Sequence, residues 1–217
     1  MLGVVGLVMP VVEPFDANVD RYEEWFDVHD AVYRSELAAL GDLLPEPGFG
    51  VEVGVGSARF AAPLGVRVGV DPSREMLSRA RDRGVSVARG VAEALPFADD
   101  AFDSVLFVTT VCFVDDLARA MAEAERVLAP DGALVVGFVD RESPVGEQYE
   151  ANRDANPFYR DATFRSTDEL VAAMADAGFG GFEFRQTVFS WIADVEQPEP
   201  VREGYGDGSF VAIRATR

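Results

Sequence analysis

Three features of the 217-residue sequence predict an α/β fold, a mainly parallel sheet with helices on both faces. Short β-rich runs alternate with helical patterns between residues 50 and 139, the signature of βαβ units. The first such run leads into a glycine-rich stretch, VEVGVGSARF (51–60), placed as a strand-to-helix turn. The last two runs, 181–191 and 208–216, are too close for a helical crossover and are expected to pair antiparallel.

Each element has its own reason. The opening MLGVVGLVMPVV is apolar, but it lacks a basic leader, is followed at once by Glu13 and Asp16, and is too short to span a bilayer, so the cytoplasm is the expected location. Met9 is an alternative start, and otherwise a loosely packed arm is expected over the first eight residues. Residues 19–40 set Tyr22, Phe26, His29, Tyr33, Leu37 and Leu40 at i, i+3/i+4 spacing, one face of a docking helix. After the breaker PEPGFG (45–50) come strand 50–54, a short helix near 57–63, strand 66–70, helix 73–83, strands 85–89 and 103–109, helix 115–128 and strand 133–139. In STDEL (166–170), Ser166 and Glu169 stand at capping-box spacing; the helix runs to about Ala177, and Gly178 fits its C-terminal cap. ADVEQPEPVREGYGDG, between the final strands, reads as a long acidic surface loop.

Composition narrows the function classes. With 38 acidic residues against 19 basic ones, all arginine, the net charge is −19. Such a lysine-free, acidic chain is expected of a protein adapted to concentrated salt, and it argues against nucleic acid as a partner. One cysteine (Cys112) and one histidine (His29) supply neither a disulfide nor a zinc site, and no metal is expected.

The Gly-x-Gly turn lets backbone approach a ligand, with N–H groups aimed at it. A dinucleotide fingerprint would place a third glycine where Arg59 stands, and the Gly-Lys-Ser/Thr phosphate loop is absent. Asp71 closes the second strand fifteen positions past Gly56, where a carboxylate can accept from both hydroxyls of a ribose; alternatively it caps the next helix, with Pro72 in the first turn. Glu52 is either part of the ligand loop or a locally hydrogen-bonded acid.

VEVGVGSARF, GVDPS (69–73), GVAEALPFADDAFDSVLF (90–107) and AERVLAPDGALVVGF (124–138) resemble, in order and spacing, the successive motifs of class I S-adenosylmethionine-dependent methyltransferases, in their quinone-biosynthesis-like, type 11 branch. The resemblance is strong over 48–140 and looser from 161 to 217. It implies a Rossmann-like, doubly wound, seven-stranded sheet, mostly parallel with an antiparallel final strand. It also implies one domain with four parts: an arm and lid helix (1–47), a donor-binding core (48–140), a substrate or lid insertion (141–165), and a closing helix and strand pair (166–217). Carried over by position, Glu52, Gly54 and Gly56 pass under the methionine part of the S-adenosylmethionine donor, and Asp71 holds the ribose. Pro72, Ser73, Ala92 and Glu93 border the adenine, Leu95 and Phe97 cover its face, and Thr109 lies beneath the donor. Two positions depart from the family: Val91 replaces an Asp that often reads the adenine amino group, and Asp131 replaces a common Gly.

Methyl transfer from a sulfonium is an in-line displacement that relies largely on positioning, with a base needed only for a protonated nucleophile. His29 and Tyr159 are the candidate bases, although His29 sits on a packing stripe. Tyr22, Trp25 and Phe26 either cover the donor or simply pack. Thr110, Cys112 and Phe113 fall near the substrate mouth, Cys112 being read as a small buried hydrophobe and Asp115 and Asp116 as helix caps. The insertion supplies Tyr149, Arg153, Phe158, Tyr159 and Arg165 beyond the sheet edge where open α/β sheets bind ligands, fit for a planar or anionic small-molecule acceptor. Of these, Tyr22, Phe113, Tyr149, Arg153 and Tyr159 are the expected acceptor contacts. Two other readings stay open on sequence: a NAD-dependent oxidoreductase, and a donor-binding subunit without catalysis.

Overall fold

A computed structural model describes residues 12–45 and 48–217. The arm expected over residues 1–8, and Met9, lie outside the described residues. Three helices come first: α1 (Glu13–Ala17), α2 (Val19–Val28) and α3 (Asp30–Leu43). The alternating core follows as β1 (Gly50–Val53), β2 (Val68–Asp71), α4 (Arg74–Asp82), β3 (Ser86–Arg89), β4 (Phe102–Val108), α5 (Leu117–Val127) and β5 (Leu128–Val139). The chain closes with α6 (Pro144–Ala151), α7 (Thr167–Asp176), β6 (Gly180–Thr187), β7 (Arg202–Glu203) and β8 (Phe210–Thr216).

The strands form one sheet in the order β3-β2-β1-β4-β5-β8-β6-β7. β1 to β5 are mutually parallel, and β8 runs antiparallel between β5 and β6. Eight strands are therefore present among the described residues instead of seven; the extra one is the two-residue β7, where Arg202 and Glu203 pair with Gln186 and Arg185 at the sheet edge. The winding reverses between β1 and β4, which opens a crevice beyond their C-terminal ends.

Burial on both faces explains the continuous apolar strands. In β4, Val105 and Phe107 point to one side, with Met121 of α5 and Leu170 and Met174 of α7. Leu106 and Val108 point to the other, with Leu40 of α3 and Leu77 of α4. The capping box at α7 is formed: the Glu169 N–H donates to Ser166 Oγ, and the Ser166 N–H donates to the Glu169 carboxylate. Gly178, at φ +101, follows the helix as a left-handed terminator.

Four local expectations are corrected. The single helix over 19–40 is two, broken at His29 (φ −109, ψ 41), whose N–H still donates to Trp25 O while its carbonyl accepts from Tyr33. Residues 57–63 form successive turns instead of a helix: Ala58 is left-handed (φ +63), and Pro63 has no N–H to continue a ladder. β5 begins at Leu128, five residues early, and its Asp131 adopts φ +67, a backbone position that favours glycine. Only Asp116 caps α5, accepting from Arg119 N, whereas Asp115 donates its own N–H to Glu93.

Candidate active site

The crevice is the mouth of a cavity of about 1160 Å³ that runs from the ends of β1, β2 and β4 to the insertion. At the first end, Gly54 and Gly56 are both left-handed (φ +70 and +50). A Cβ on Gly54 would lie 2.3 Å from Thr110 Cγ2, a clash with the segment after β4, and one on Gly56 would face the Tyr22 hydroxyl of the covering helix at 3.4 Å. Thr109, directly after β4, is left-handed as well (φ +49), an outlier for a β-branched residue held at the cavity wall.

Asp71 ties the turn to the sheet. Its Oδ2 accepts from the Gly56 N–H at 2.8 Å and its Oδ1 from the Ser73 N–H at 2.8 Å, which leaves one further lone pair on each oxygen of this cavity-lining residue. Burial pushes its carboxyl up to about 6; the two N–H bonds oppose that, and Asp16 adds to it. The helix-capping alternative is corrected: the cap of α4 is Ser73, which accepts from Met76 N, while Asp71 accepts the N–H of Ser73 itself. Glu52 is buried in β1 behind the turn, its Oε2 without a partner among the described residues. Burial holds it well above the usual carboxylate range, with backbone at Ala61 opposing and Asp71 adding.

Helices α1 and α2 cover this end and are pinned to the core by charge. Glu23 is gripped by Arg83 at 2.6 Å and by Arg59 at 2.6 Å; Arg59 also reaches Asp27, and Arg79 pairs with Asp20. The side chain at the third-glycine position of a dinucleotide loop thus serves to hold a covering helix. Ser73 Oγ donates to Asp16 of α1, and Phe15 packs edge-on against Phe113.

The cavity gathers Gly54, Gly56, Asp71, Pro72, Ser73, Ala92, Glu93 and Thr109 at one end, and Phe113, Tyr149 and Tyr159 toward the other, with Tyr22 and His29 also on its wall. Glu93 stays fixed because its carboxylate accepts from Asp115 N and Asp116 N. Four expected residues are not brought to it, the first being Glu52, which lies behind the turn and outside the lining. Arg153 is paired with Glu150 outside the lining, Leu95 is buried in the core, and Phe97 packs against Phe102 at 4.9 Å. Burial lowers the His29 pKa, and it raises the Tyr149 and Tyr159 hydroxyls, so both tyrosines are protonated at neutral pH. Cys112 lines the wall as a neutral thiol, pushed by burial up to about 12.

Sequence reasoning missed Glu36. It lines the cavity from α3 at 5% exposure, with its carboxyl pushed by burial up to about 8. The signal existed: an acid stands between Tyr33 and Leu40 at the helical spacing of the buried stripe. Phe15, Arg21 and Trp191 were missed too, and they come from segments with no motif of their own.

The family model described as a methyltransferase domain matches residues 51–136. An uncharacterised protein of Methanocaldococcus jannaschii is 40% identical over 203 residues, which cover 94% of this chain and 98% of that protein. A malonyl-[acyl-carrier protein] O-methyltransferase of Geobacter sulfurreducens is 33% identical over 212 residues, covering 87% of this chain and 79% of the relative. Among solved structures, one from Thermotoga maritima, described as an S-adenosylmethionine-dependent methyltransferase and possible histamine N-methyltransferase, superposes with a TM-score of 0.92 at 51% identity. That match covers 94% of this chain and 98% of the other.

Proposed function

The chain belongs to the class I S-adenosylmethionine-dependent methyltransferases, and on that premise we propose that it methylates a small molecule held inside the cavity. The observation that carries the small-molecule reading is the continuous, aromatic-walled space of about 1160 Å³. It is somewhat larger than the roughly 300–1,000 Å³ of a single-ligand pocket, as a donor and a small acceptor together require.

The residues at the sheet end fit the donor. Asp71 offers two free lone pairs at the spacing of neighbouring ribose hydroxyls, the left-handed Gly54 and Gly56 keep the turn flat beneath the amino-acid tail, and Pro72, Ser73, Ala92 and Glu93 border the base. Val91 presents no carboxylate to the adenine amino group, so that contact comes from backbone or is missing. When bound, the donor supplies a methyl group on a positively charged sulfur. The protein's part is to place the acceptor in line and keep water out, through Tyr22 and α2 above and the insertion at the side. His29, whose pKa burial lowers, is the candidate to take a proton from a protonated acceptor. Tyr159 keeps its proton and serves as a hydrogen-bond donor instead of a base.

The Geobacter relative is named for an acceptor on a carrier protein and the Thermotoga protein for a small amine. The enclosure by α1, α2 and the insertion supports the latter size of acceptor. Methyl-labelled donor, incubated with a panel of small amines, phenols and acids and separately with acyl-carrier protein, tests this. Label in a small product supports the proposal, and label transferred only to the carrier protein refutes it. The lysine-free, acidic composition supports a salt-adapted enzyme, whose unfolding midpoint should rise with potassium chloride; a falling midpoint would count against it.

A further inference from the structure

We propose that Glu36 receives the methyl acceptor and that the acceptor is a small amine, bound as its ammonium ion, with an aromatic or other apolar body. The inference rests on the methyltransferase reading of the cavity and goes beyond it by naming the acceptor class and the residue that selects it.

Glu36 is buried on α3 and lines the cavity, yet it accepts no hydrogen bond and joins no ion pair among the described residues. A buried carboxyl without a donor is unfavourable, and protein interiors pair such groups or dispose of them. Its neighbours do not relieve it. Tyr22 of α2, Tyr149 of α6 and Tyr159 of the insertion all feel the Glu36 charge as an upward push on their hydroxyls. Glu36 lines the cavity together with Tyr22, Tyr149 and Tyr159. The arginines at the donor end are committed elsewhere, Arg59 and Arg83 to Glu23. Arg21 and Arg165 line the same cavity but neither pairs with Glu36, so the place beside its carboxyl is open to a cation brought in from outside.

A metal ion does not fit: no group of three His, Cys, Asp or Glu side chains converges among the described residues. An organic ammonium does. Trp25, Phe26, Tyr149, Tyr159 and Phe164 provide an apolar wall and π faces for its body and charge. Burial pushes the empty Glu36 up to about 8, and an ammonium beside it would draw it back toward the ionised form. Arg165, whose buried Nε has no partner, lines the same cavity and makes an acidic acceptor the competing chemistry.

Calorimetry on wild type and Glu36→Gln decides. Each protein is titrated with S-adenosylhomocysteine, and the saturated complex is then titrated with phenethylamine, tryptamine and histamine, with the matching phenyl-, indole- and imidazole-acetates, and with neutral 2-phenylethanol. Both proteins should bind S-adenosylhomocysteine alike. Wild type should bind at least one amine in preference to its acid, and Glu36→Gln should bind that amine roughly 10- to 100-fold more weakly, the effect of losing a charged hydrogen-bond partner, with 2-phenylethanol unchanged. Equal amine affinity in the two proteins, a preference for the acids, or no amine binding to the wild-type complex would each overturn the proposal. Failure of wild type to bind S-adenosylhomocysteine would instead overturn the underlying reading. Should Glu36→Gln lose that ligand, the wild-type ranking of amines over acids and a weakened but retained amine preference in Glu36→Asp decide in its place.

Discussion

Replacing Asp71 with Asn probes the link between the Gly-x-Gly turn and the donor. The carboxylate accepts from Gly56 N and Ser73 N, and in the proposed function the remaining lone pair on each oxygen receives the ribose. Asn retains one neutral oxygen, and its amide nitrogen then faces a backbone N–H, two donors opposed. One ribose hydroxyl loses its acceptor and the other exchanges a charged acceptor for a neutral one. At roughly 1.5–3 kcal/mol for a hydrogen bond to a charged group, the loss is about 2–4 kcal/mol, or about 30- to 700-fold in affinity for S-adenosylhomocysteine. The pH dependence supplies a second readout. Donor hydroxyls favour the ionised carboxylate, so wild-type affinity should be full above the folded pKa of about 6 and decline as pH falls through it. Stability runs the other way: the folded pKa lies above the unfolded value of 3.8, so the stabilisation from protonation is complete below 3.8 and lost as pH rises through 6. The Asn variant should lack both slopes. Calorimetry from pH 5 to 8 reads the first and thermal unfolding the second. Affinity within about threefold of wild type, with the same pH slope, would refute the assignment.

Gly54→Ala puts a Cβ 2.3 Å from Thr110 Cγ2 at a left-handed position, so denaturant unfolding should show a loss of about 2 kcal/mol or more together with loss of donor binding; an unchanged midpoint would contradict the geometry. Glu23→Gln weakens the grip of Arg59 and Arg83 on α2. Burial alone would raise the Glu23 pKa, but the Arg83 and Arg59 contacts outweigh it and lower it, so its stabilisation is present above about 4.5 and lost as pH falls. Unfolding midpoints should drop at neutral pH by the equivalent of about 1–2 kcal/mol and converge with wild type in acid. Cys112, kept as a thiol by burial, should resist iodoacetamide in the native protein and react once unfolded; rapid native alkylation would show an open wall.

The strand alternation, the Gly-x-Gly turn, Asp71 and the α7 capping box were legible because each depends on local pattern: β-branched runs, a left-handed backbone, a strand-end acid, a Ser-x-x-Glu. The two-residue β7 was not, since its pairing with Arg185 and Gln186 is a tertiary accident of the loop before β8. The break at His29 was hidden because the apolar stripe continues through it into α3. Arg59 illustrates a partial reading: in the sequence it counted against a dinucleotide loop, but its ion pairs with Glu23 and Asp27 join residues far apart in sequence. Arg153 shows the reverse, an arginine in a promising segment that packs outward against Glu150. Glu36 carried a signal, an acid on a buried stripe, whose meaning depended on the cavity that three other elements close around it.

The most direct test of the account is a crystal structure of the protein with S-adenosylhomocysteine. The ribose hydroxyls should lie within hydrogen-bond distance of Asp71, the amino-acid tail over Gly54 and Gly56, and the adenine beside Pro72 and Ala92, with the sulfur facing the space bounded by Tyr22 and Glu36. A ligand seated elsewhere, or with its ribose turned away from Asp71, would contradict it.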